Sequence, residues 1–201
     1  QIDEDYVAEI DGFASVLSGG NEDVLGDGKL SINEHLMLNL TPDIATDVSC
    51  SATAVYENRS ATGQTIVGRI TDWFPGQDGQ MGYMNAIIHS TDDSGELISF
   101  GWLGVLGVLV GINDDGLFLA NLYSALGAEY SADGRRSILF DIRHSLEQYS
   151  TIDGASDYLR DPDKLYGYNH NMFLADEATA KVLENDFAAN RALRTGDSNL
   201  N

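Results

Sequence analysis

The sequence predicts an α+β protein built in layers, with an antiparallel sheet rather than a βαβ repeat. Three observations predict it. Apolar residues recur at helical spacing through the first 49 residues, and from Cys50 the period falls to two, punctuated by turn signals. Two helical stretches then interrupt the strands before strand text returns.

The first helix rests on Tyr6, Ile10, Phe13, Ala14 and Leu17, and Ser18-Gly19-Gly20-Asn21 should end it. A second starts at Ser31, where Ser31-x-x-Glu34 is a capping-box pattern ahead of Leu36, Met37, Leu38 and Leu40. Thr41-Pro42-Asp43 is expected to break it. Residues 51–56 and 64–70 flank Ser60-Ala61-Thr62-Gly63 as a first hairpin. Residues 83–89 and 96–100 flank Asp92-Asp93-Ser94-Gly95 as a second. Residues 106–112 and 117–123 flank Asn113-Asp114-Asp115-Gly116, the clearest turn of the three. A helix over about 136–149 shows Ile138, Leu139, Ile142 and Leu146 on one face. A shorter helix carries Ala155, Tyr158 and Leu159 and ends before Asp161-Pro162. Residues 171–176 and 180–184 form a last hairpin, and after Asp186 the text turns polar and irregular.

Composition narrows the partners. The chain of 201 residues has 32 Asp and Glu against 11 Lys and Arg, a net charge of −21, which disfavours nucleic acid and anionic membranes. Its aromatic content is too high for a disordered acidic tail. The apolar run from Leu103 to Ile112 is too short to span a bilayer. The acidic, lysine-poor surface leans toward a secreted, periplasmic or extracellular setting rather than a cytoplasmic one. A lone cysteine excludes an internal disulfide and a Cys-rich zinc site.

That cysteine, Cys50, stands where helical text gives way to strand text. A thiol attacks as thiolate, which a neighbouring cation favours. Gly68-Arg69-Ile70-Thr71-Asp72-Trp73 closes the partner strand of the hairpin that Cys50 opens, so Arg69 and Asp72 fall beside the thiol. The same spacing equally suits a small buried thiol next to an ordinary ion pair.

Cys50-Ser51-Ala52-Thr53 followed by Gly68-Arg69-x-x-Asp72-Trp73 resembles the cysteine N-terminal-nucleophile hydrolases. The nearest branch is the acyl-coenzyme A:6-aminopenicillanate acyltransferase-like family, related to bile salt hydrolases and acid ceramidases. Glu9-Ile10-Asp11-Gly12-Phe13-Ala14 and Leu36-Met37-Leu38-Asn39-Leu40 are similar to that group's propeptide helices. Gly111-Ile112-Asn113-Asp114-Asp115-Gly116-Leu117 is similar to its Gly-x-Asn-x-x-Gly-Leu hairpin. His170-Asn171-Met172-Phe173-Leu174-Ala175-Asp176 is similar to one of its strands.

The resemblance implies a four-layer αββα fold, incomplete in this chain, with residues 1–49 as a helical propeptide-like segment and 50–201 as part of the hydrolase domain. It implies autocleavage between Ser49 and Cys50, after which the Cys50 α-amine is the base for its own thiol. An α-amine at pKa ~8 and a thiol at ~8.5 exchange a proton almost without cost. Arg69 would keep the nucleophile's surroundings electropositive, Asp72 would orient the α-amine, and Asn121 would supply one oxyanion donor, with Asn199 as a stand-in for a later one. The implied activity is hydrolysis or acyl transfer on a linear amide through a Cys50 thioester. The implied partners are a small acyl-amide substrate and the remainder of the precursor or a second processed chain; no cofactor is implied.

Other constellations compete. Asp23, Asp27 and Glu34 sit at positions 1, 5 and 12 of an EF-hand-like loop whose position 3 is Leu25, where an oxygen ligand belongs. With Cys50 merely buried, the alternative is a non-enzymatic, acidic, secreted, calcium-binding interaction domain. A Cys–His dyad could use His89, His144 or His170. Carboxylate pairs among Glu57, Asp92, Asp93 and Glu96 arise readily by chance in so acidic a chain. Gly101-Trp102-Leu103-Gly104 could line an acyl pocket or simply pack tightly.

Overall fold

The computed structural model describes residues 1–17, 23–24, 26–44, 49–93, 95–124 and 129–196. The predicted helix stop at 18–21, Leu25, Ser94 and Asn199 lie outside them. The first two helices are α1 (Glu4–Leu17) and α2 (Ile32–Ile44). β1 (Ser49–Val55) and β2 (Ile66–Asp72) form a two-stranded antiparallel ribbon. A short helix α3 (Gln80–Tyr83) precedes four strands: β3 (Asn85–Asp92), β4 (Gly95–Trp102), β5 (Val110–Asn113) and β6 (Phe118–Tyr123). Helices α4 (Ile138–Gln148) and α5 (Ile152–Leu159) intervene before β7 (His170–Ala175), β8 (Ala180–Asn185) and β9 (Arg191–Thr195).

Strands β3 to β9 form one seven-stranded antiparallel sheet whose spatial order is the chain order. Alternation assigns each face. Leu119, Met172, Leu174 and Leu183 are mutually in register or two residues apart and fully buried against Ile138, Leu139, Ile142 and Leu159 of the helices. The opposite face, with Phe118, Ala120 and Phe173, lies under the ribbon, whose inward residues are Cys50, Ala52, Ala54, Val67 and Arg69. Helices, large sheet and ribbon are thus three successive layers. The ribbon's outward row includes Val55, Ile66 and Ile70, all exposed.

The N-terminal helices are joined to the rest by polar as well as apolar contacts. Tyr6 and Ile10 of α1 pack on Phe140 of α4. Two buried residues of α2 grip the β4–β5 loop. His35 Nε2 lies 2.7 Å from the Gly104 carbonyl, and Asn39 donates to that carbonyl at 3.2 Å while accepting from Leu106 N at 2.6 Å. Asp43 accepts from Ser137 Oγ and, at 3.2 Å, from Ile138 N, capping α4 from another element. Arg136 bridges Asp3 at 3.0 Å and the buried Asp141 at 2.5 Å.

Three sequence expectations need correction. Helix α2 runs through Pro42 to Ile44. A proline two residues from a helix end forfeits one bond near the terminus, and Thr41 Oγ1 uses the nearby Met37 carbonyl at 2.8 Å. The apolar text from Leu106 to Leu109 is loop, and β5 starts only at Val110. Residues 191–195, read as irregular, form the edge strand β9; Arg191 there donates to the Leu159 and Asp161 carbonyls, both at 2.8 Å. The 113–116 turn is as expected, with Gly116 at φ +79°, a conformation that favours glycine.

Candidate active site

Cys50 is the second residue of β1, half-buried, its side chain turned toward the large sheet. Arg69 on β2 reaches it diagonally from the paired strand, two residues from Cys50's own partner, Thr71, and so on the same face. Arg69 Nη2 donates to Cys50 Sγ at 3.0 Å and to the Asn121 carbonyl of β6 at 2.8 Å, while Nη1 donates to Thr71 Oγ1. One guanidinium nitrogen therefore ties the thiol to the sheet beneath it. Burial lowers the pKa of Arg69 from its ordinary value, and the Cys50 sulfur acts in the opposite sense. Arg69 Nε is buried without a hydrogen-bond partner among the described residues.

Asp72 takes a different place. It pairs in register with Ser49, and three residues from Arg69 on a strand means the other face, so its carboxylate is exposed on the outer side. The structure thus sets Arg69 against the thiol and Asp72 across from the Ser49–Cys50 peptide. Asn121 also divides its functions. Its carbonyl accepts from Arg69, but its side chain lies on the helix face, in line with Leu119 and Tyr123, and donates to the Tyr168 hydroxyl at 2.9 Å. The amide nitrogen of Asn121 in this state serves Tyr168, not the thiol. Its Oδ1 has no partner among the described residues. Burial first, then the Asp43 charge, raises the Tyr168 hydroxyl pKa well above its ordinary value.

A cavity of about 470 Å³ opens beside Arg69 between β2 and the large sheet, lined by Val67, Ile87, Phe100 and Trp102. Gly101 lines it too, so the glycine-tryptophan pair singled out in the sequence borders the thiol's arginine. Val67, Phe100 and Phe118 continue into a second cavity of about 670 Å³ toward the hairpin tip at Gly63. The apolar character follows from β-branched and aromatic residues at alternate positions.

The competing constellations come apart. Asp23 accepts from Ser31 Oγ and Asn33, Asp27 from the Lys29 amide, and Glu34 from the Ser31 amide in the predicted capping box. No group of three or more metal-ligating side chains converges among the described residues. His89 pairs with Glu96 at 3.1 Å, and His144 stacks on Tyr158. Burial lowers the pKa of His170 to about 4 on the helix face, beside Asn185. None of them hydrogen-bonds Cys50. Glu57 sits in the turn after β1, away from Asp92 and Glu96 at the β3–β4 end.

Sequence reasoning did not single out Tyr168 or the Asn121 carbonyl. A tyrosine in loop text carries no periodic signal, and a backbone carbonyl leaves no mark in a sequence at all.

No family model matches the chain, and no curated protein does. Solved structures do resemble it, two of them as follows. One is the Caenorhabditis elegans ortholog of N-acylethanolamine-hydrolyzing acid amidase, at TM-score 0.57 and 16% identity over 72% of this chain and 64% of that one. The other is a mutant of the conjugated bile acid hydrolase from Clostridium perfringens, at TM-score 0.52 and 13% identity over 74% of this chain and 51% of that one. The chain thus spans between half and two thirds of these relatives' lengths. The shared feature is the fold: a mixed α+β architecture around a large antiparallel sheet.

Proposed function

We propose that the chain is the precursor form of a cysteine N-terminal-nucleophile hydrolase of the acyltransferase-like branch, acting on linear amides. The observation that carries this reading is the thiol of Cys50 held 3.0 Å from Arg69 Nη2 on the inward face of β1, beside an apolar cavity. The fold likeness supports it, since both solved relatives are named as hydrolases, one of them of N-acylethanolamines.

In this reading Cys50 Sγ attacks the Ser49 carbonyl, the peptide C–N bond breaks as a C–S bond forms, and water releases the N-terminal segment. The freed α-amine then takes the proton of its own thiol. Asp72 would accept from that amine once it is free, a role its register opposite Ser49 supports. Arg69 offsets negative charge on the sulfur, and the Asn121 carbonyl holds Arg69 in place. A substrate amide is attacked in the same way, and the thioester passes its acyl group to water or to a second amine. The reading carries with it a small acyl-amide substrate, a further polypeptide covering the outer face of the ribbon, and a setting outside the cytoplasm; it requires no cofactor.

Intact mass and N-terminal sequencing of the purified protein, beside Cys50→Ala, test it. A new N-terminus at Cys50 that vanishes in the variant is the expected result. An intact chain under all conditions, with Cys50 inert to thiol-directed acylating esters, would overturn it.

A further inference from the structure

Thr71 is the direct cross-strand partner of Cys50, and the side chains of such a pair share one face of the ribbon. The alternation that turns Val67 and Arg69 inward continues to Thr71, which lines the apolar cavity with them. Arg69 joins the two partners. Its Nη2 donates to Cys50 Sγ at 3.0 Å and its Nη1 to Thr71 Oγ1, so the two prongs of one rigid fork hold a sulfur and a hydroxyl oxygen. Cβ atoms of directly paired residues stand ~4.5–5.5 Å apart, and Sγ and Oγ1 are each one bond further out.

The hydroxyl has a hydrogen left to give. Oγ1 accepts from Arg69, and among the described residues it donates to none. A hydroxyl that accepts a charge-assisted bond is polarised and donates its own hydrogen more strongly. Thr71 is also the one hydroxyl among the side chains that line the cavity. Besides Arg69, the other polar side chains there are Asn85 and Trp102 on β3 and β4, and Asn85 donates to the Gly82 carbonyl at 3.4 Å. Asn121, the oxyanion donor expected from the sequence, spends its amide on Tyr168 at the far face of the large sheet. Thr71 is exposed while it lines the cavity, so an incoming carbonyl can reach it.

Resting on the reading of Cys50 as nucleophile, we propose that Thr71 is a further catalytic residue, the donor to the oxyanion formed when Cys50 is acylated. The thiolate adds to the substrate carbonyl carbon, a C–S bond forms, and the π pair of the carbonyl moves onto its oxygen. The Thr71 O–H donates to that oxygen and keeps its proton. As C=O re-forms the C–N bond breaks, and the amine leaves with the proton that the Cys50 α-amine took from the thiol. A C–O bond of ~1.2 Å and an O–H···O⁻ bond of ~2.5–2.7 Å together match the gap between a carbon on Sγ and Oγ1. Arg69 then serves the sulfur before attack and, through Thr71, the oxygen after it.

The test measures two reactions of Cys50 on the same sample of the full chain: acylation by p-nitrophenyl octanoate and alkylation by iodoacetamide. Alkylation displaces iodide at a saturated carbon and builds no oxyanion, so the ratio of the two rates cancels any change in thiolate content. Thr71→Val, which keeps the β-branched shape at an exposed strand position, should lower that ratio about 10–100-fold, the loss of one hydrogen bond to a charged group. Thr71→Ser, which keeps the hydroxyl, should hold it within about threefold of wild type. A Thr71→Val ratio equal to wild type overturns the proposal, including the case where both rates fall together, since Thr71 would then act only through Arg69. A Thr71→Ser ratio as low as that of Thr71→Val overturns it too, because the hydroxyl would not be what was lost. Wild-type protein that shows no acylation dependent on Cys50 sinks the nucleophile reading beneath it, a result distinct from either.

Discussion

Replacing Asn39 with leucine should destabilise the protein more than any exposed position of α2, by an amount the hydrogen bonds allow one to work out. Asn39 is fully buried and makes three side-chain bonds: to the His35 carbonyl at 3.0 Å, to the Gly104 carbonyl at 3.2 Å, and from Leu106 N at 2.6 Å. The Gly104 carbonyl keeps His35 Nε2 in the variant, and the His35 carbonyl keeps its place in the helix. The Leu106 N–H loses its side-chain acceptor. Stranding one buried donor costs ~1–3 kcal/mol and the remaining bonds add ~0.5–1.5 kcal/mol, so the expected loss is about 2–4 kcal/mol. Urea unfolding followed by circular dichroism, in a Cys50→Ala background that excludes the proposed self-cleavage, measures it. With a slope of roughly 2 kcal/mol/M the midpoint should fall by about 1–2 M at unchanged slope. Met37→Ala, at a residue 66% exposed, should move it little. An Asn39→Leu midpoint that matches Met37→Ala would mean the α2 clamp contributes nothing, and the account of how the N-terminal helices are held would be wrong.

Arg69→Met removes the cation from the thiol, and under the proposed mechanism should slow Ser49–Cys50 cleavage by about 100-fold or more in a mass-spectrometric time course; wild-type kinetics would exclude the role given to Arg69. Burial pushes the Asp43 carboxyl up to about 7 from 3.8. Between those values the native state binds a proton that the unfolded chain does not, so stability should fall as pH rises from about 4 to 7, by at most about 4 kcal/mol. Asp43→Asn, which mimics the protonated acid, should flatten that slope, and parallel stability-versus-pH curves for the two proteins would refute the assignment. A Cβ at Gly111 would stand 2.8 Å from both Leu146 Cδ1 and Val108 Cγ1, so Gly111→Ala should cost ~1–3 kcal/mol and lower Tm by about 2–12 °C. Gly101→Ala, with open space around its Cβ position, is the calorimetric control.

What could be read from the sequence was what periodicity and turn chemistry encode. The amphipathic faces of α1 and α4, the capping box at Ser31 and the 113–116 turn are all local, and each appears where expected. The misreadings were set by tertiary structure. Strand β9 has no apolar alternation because its stability comes from pairing with β8 and from Arg191 reaching the α5 end, both remote in sequence. Pro42 looked like a helix breaker, yet the helix end it occupies is anchored by Asp43 to α4. Trp102 could be named as a pocket candidate, but only the ribbon laid over β4 decides between pocket wall and packing.

The positions of Arg69 and Asp72 follow from one geometric rule. Two residues three apart on a strand cannot both face the same neighbour, because side chains alternate with period two. A nucleophile whose base is its own α-amine needs support in two directions: at the sulfur, which points inward, and at the backbone nitrogen, which lies in the plane of the ribbon. Arg69 meets the first need by reaching inward to Sγ, and Asp72, opposite Ser49, stands next to the second. A thiol that was only a small buried hydrophobe would not call for a desolvated guanidinium shared between sulfur and a main-chain carbonyl, since burying that cation is costly unless its bonds are put to use. Under the proposed mechanism, the Arg-x-x-Asp spacing is what lets one strand serve both ends of a cysteine freed at its α-amine. The same spacing on a helix would put the two side chains on one face and serve only one.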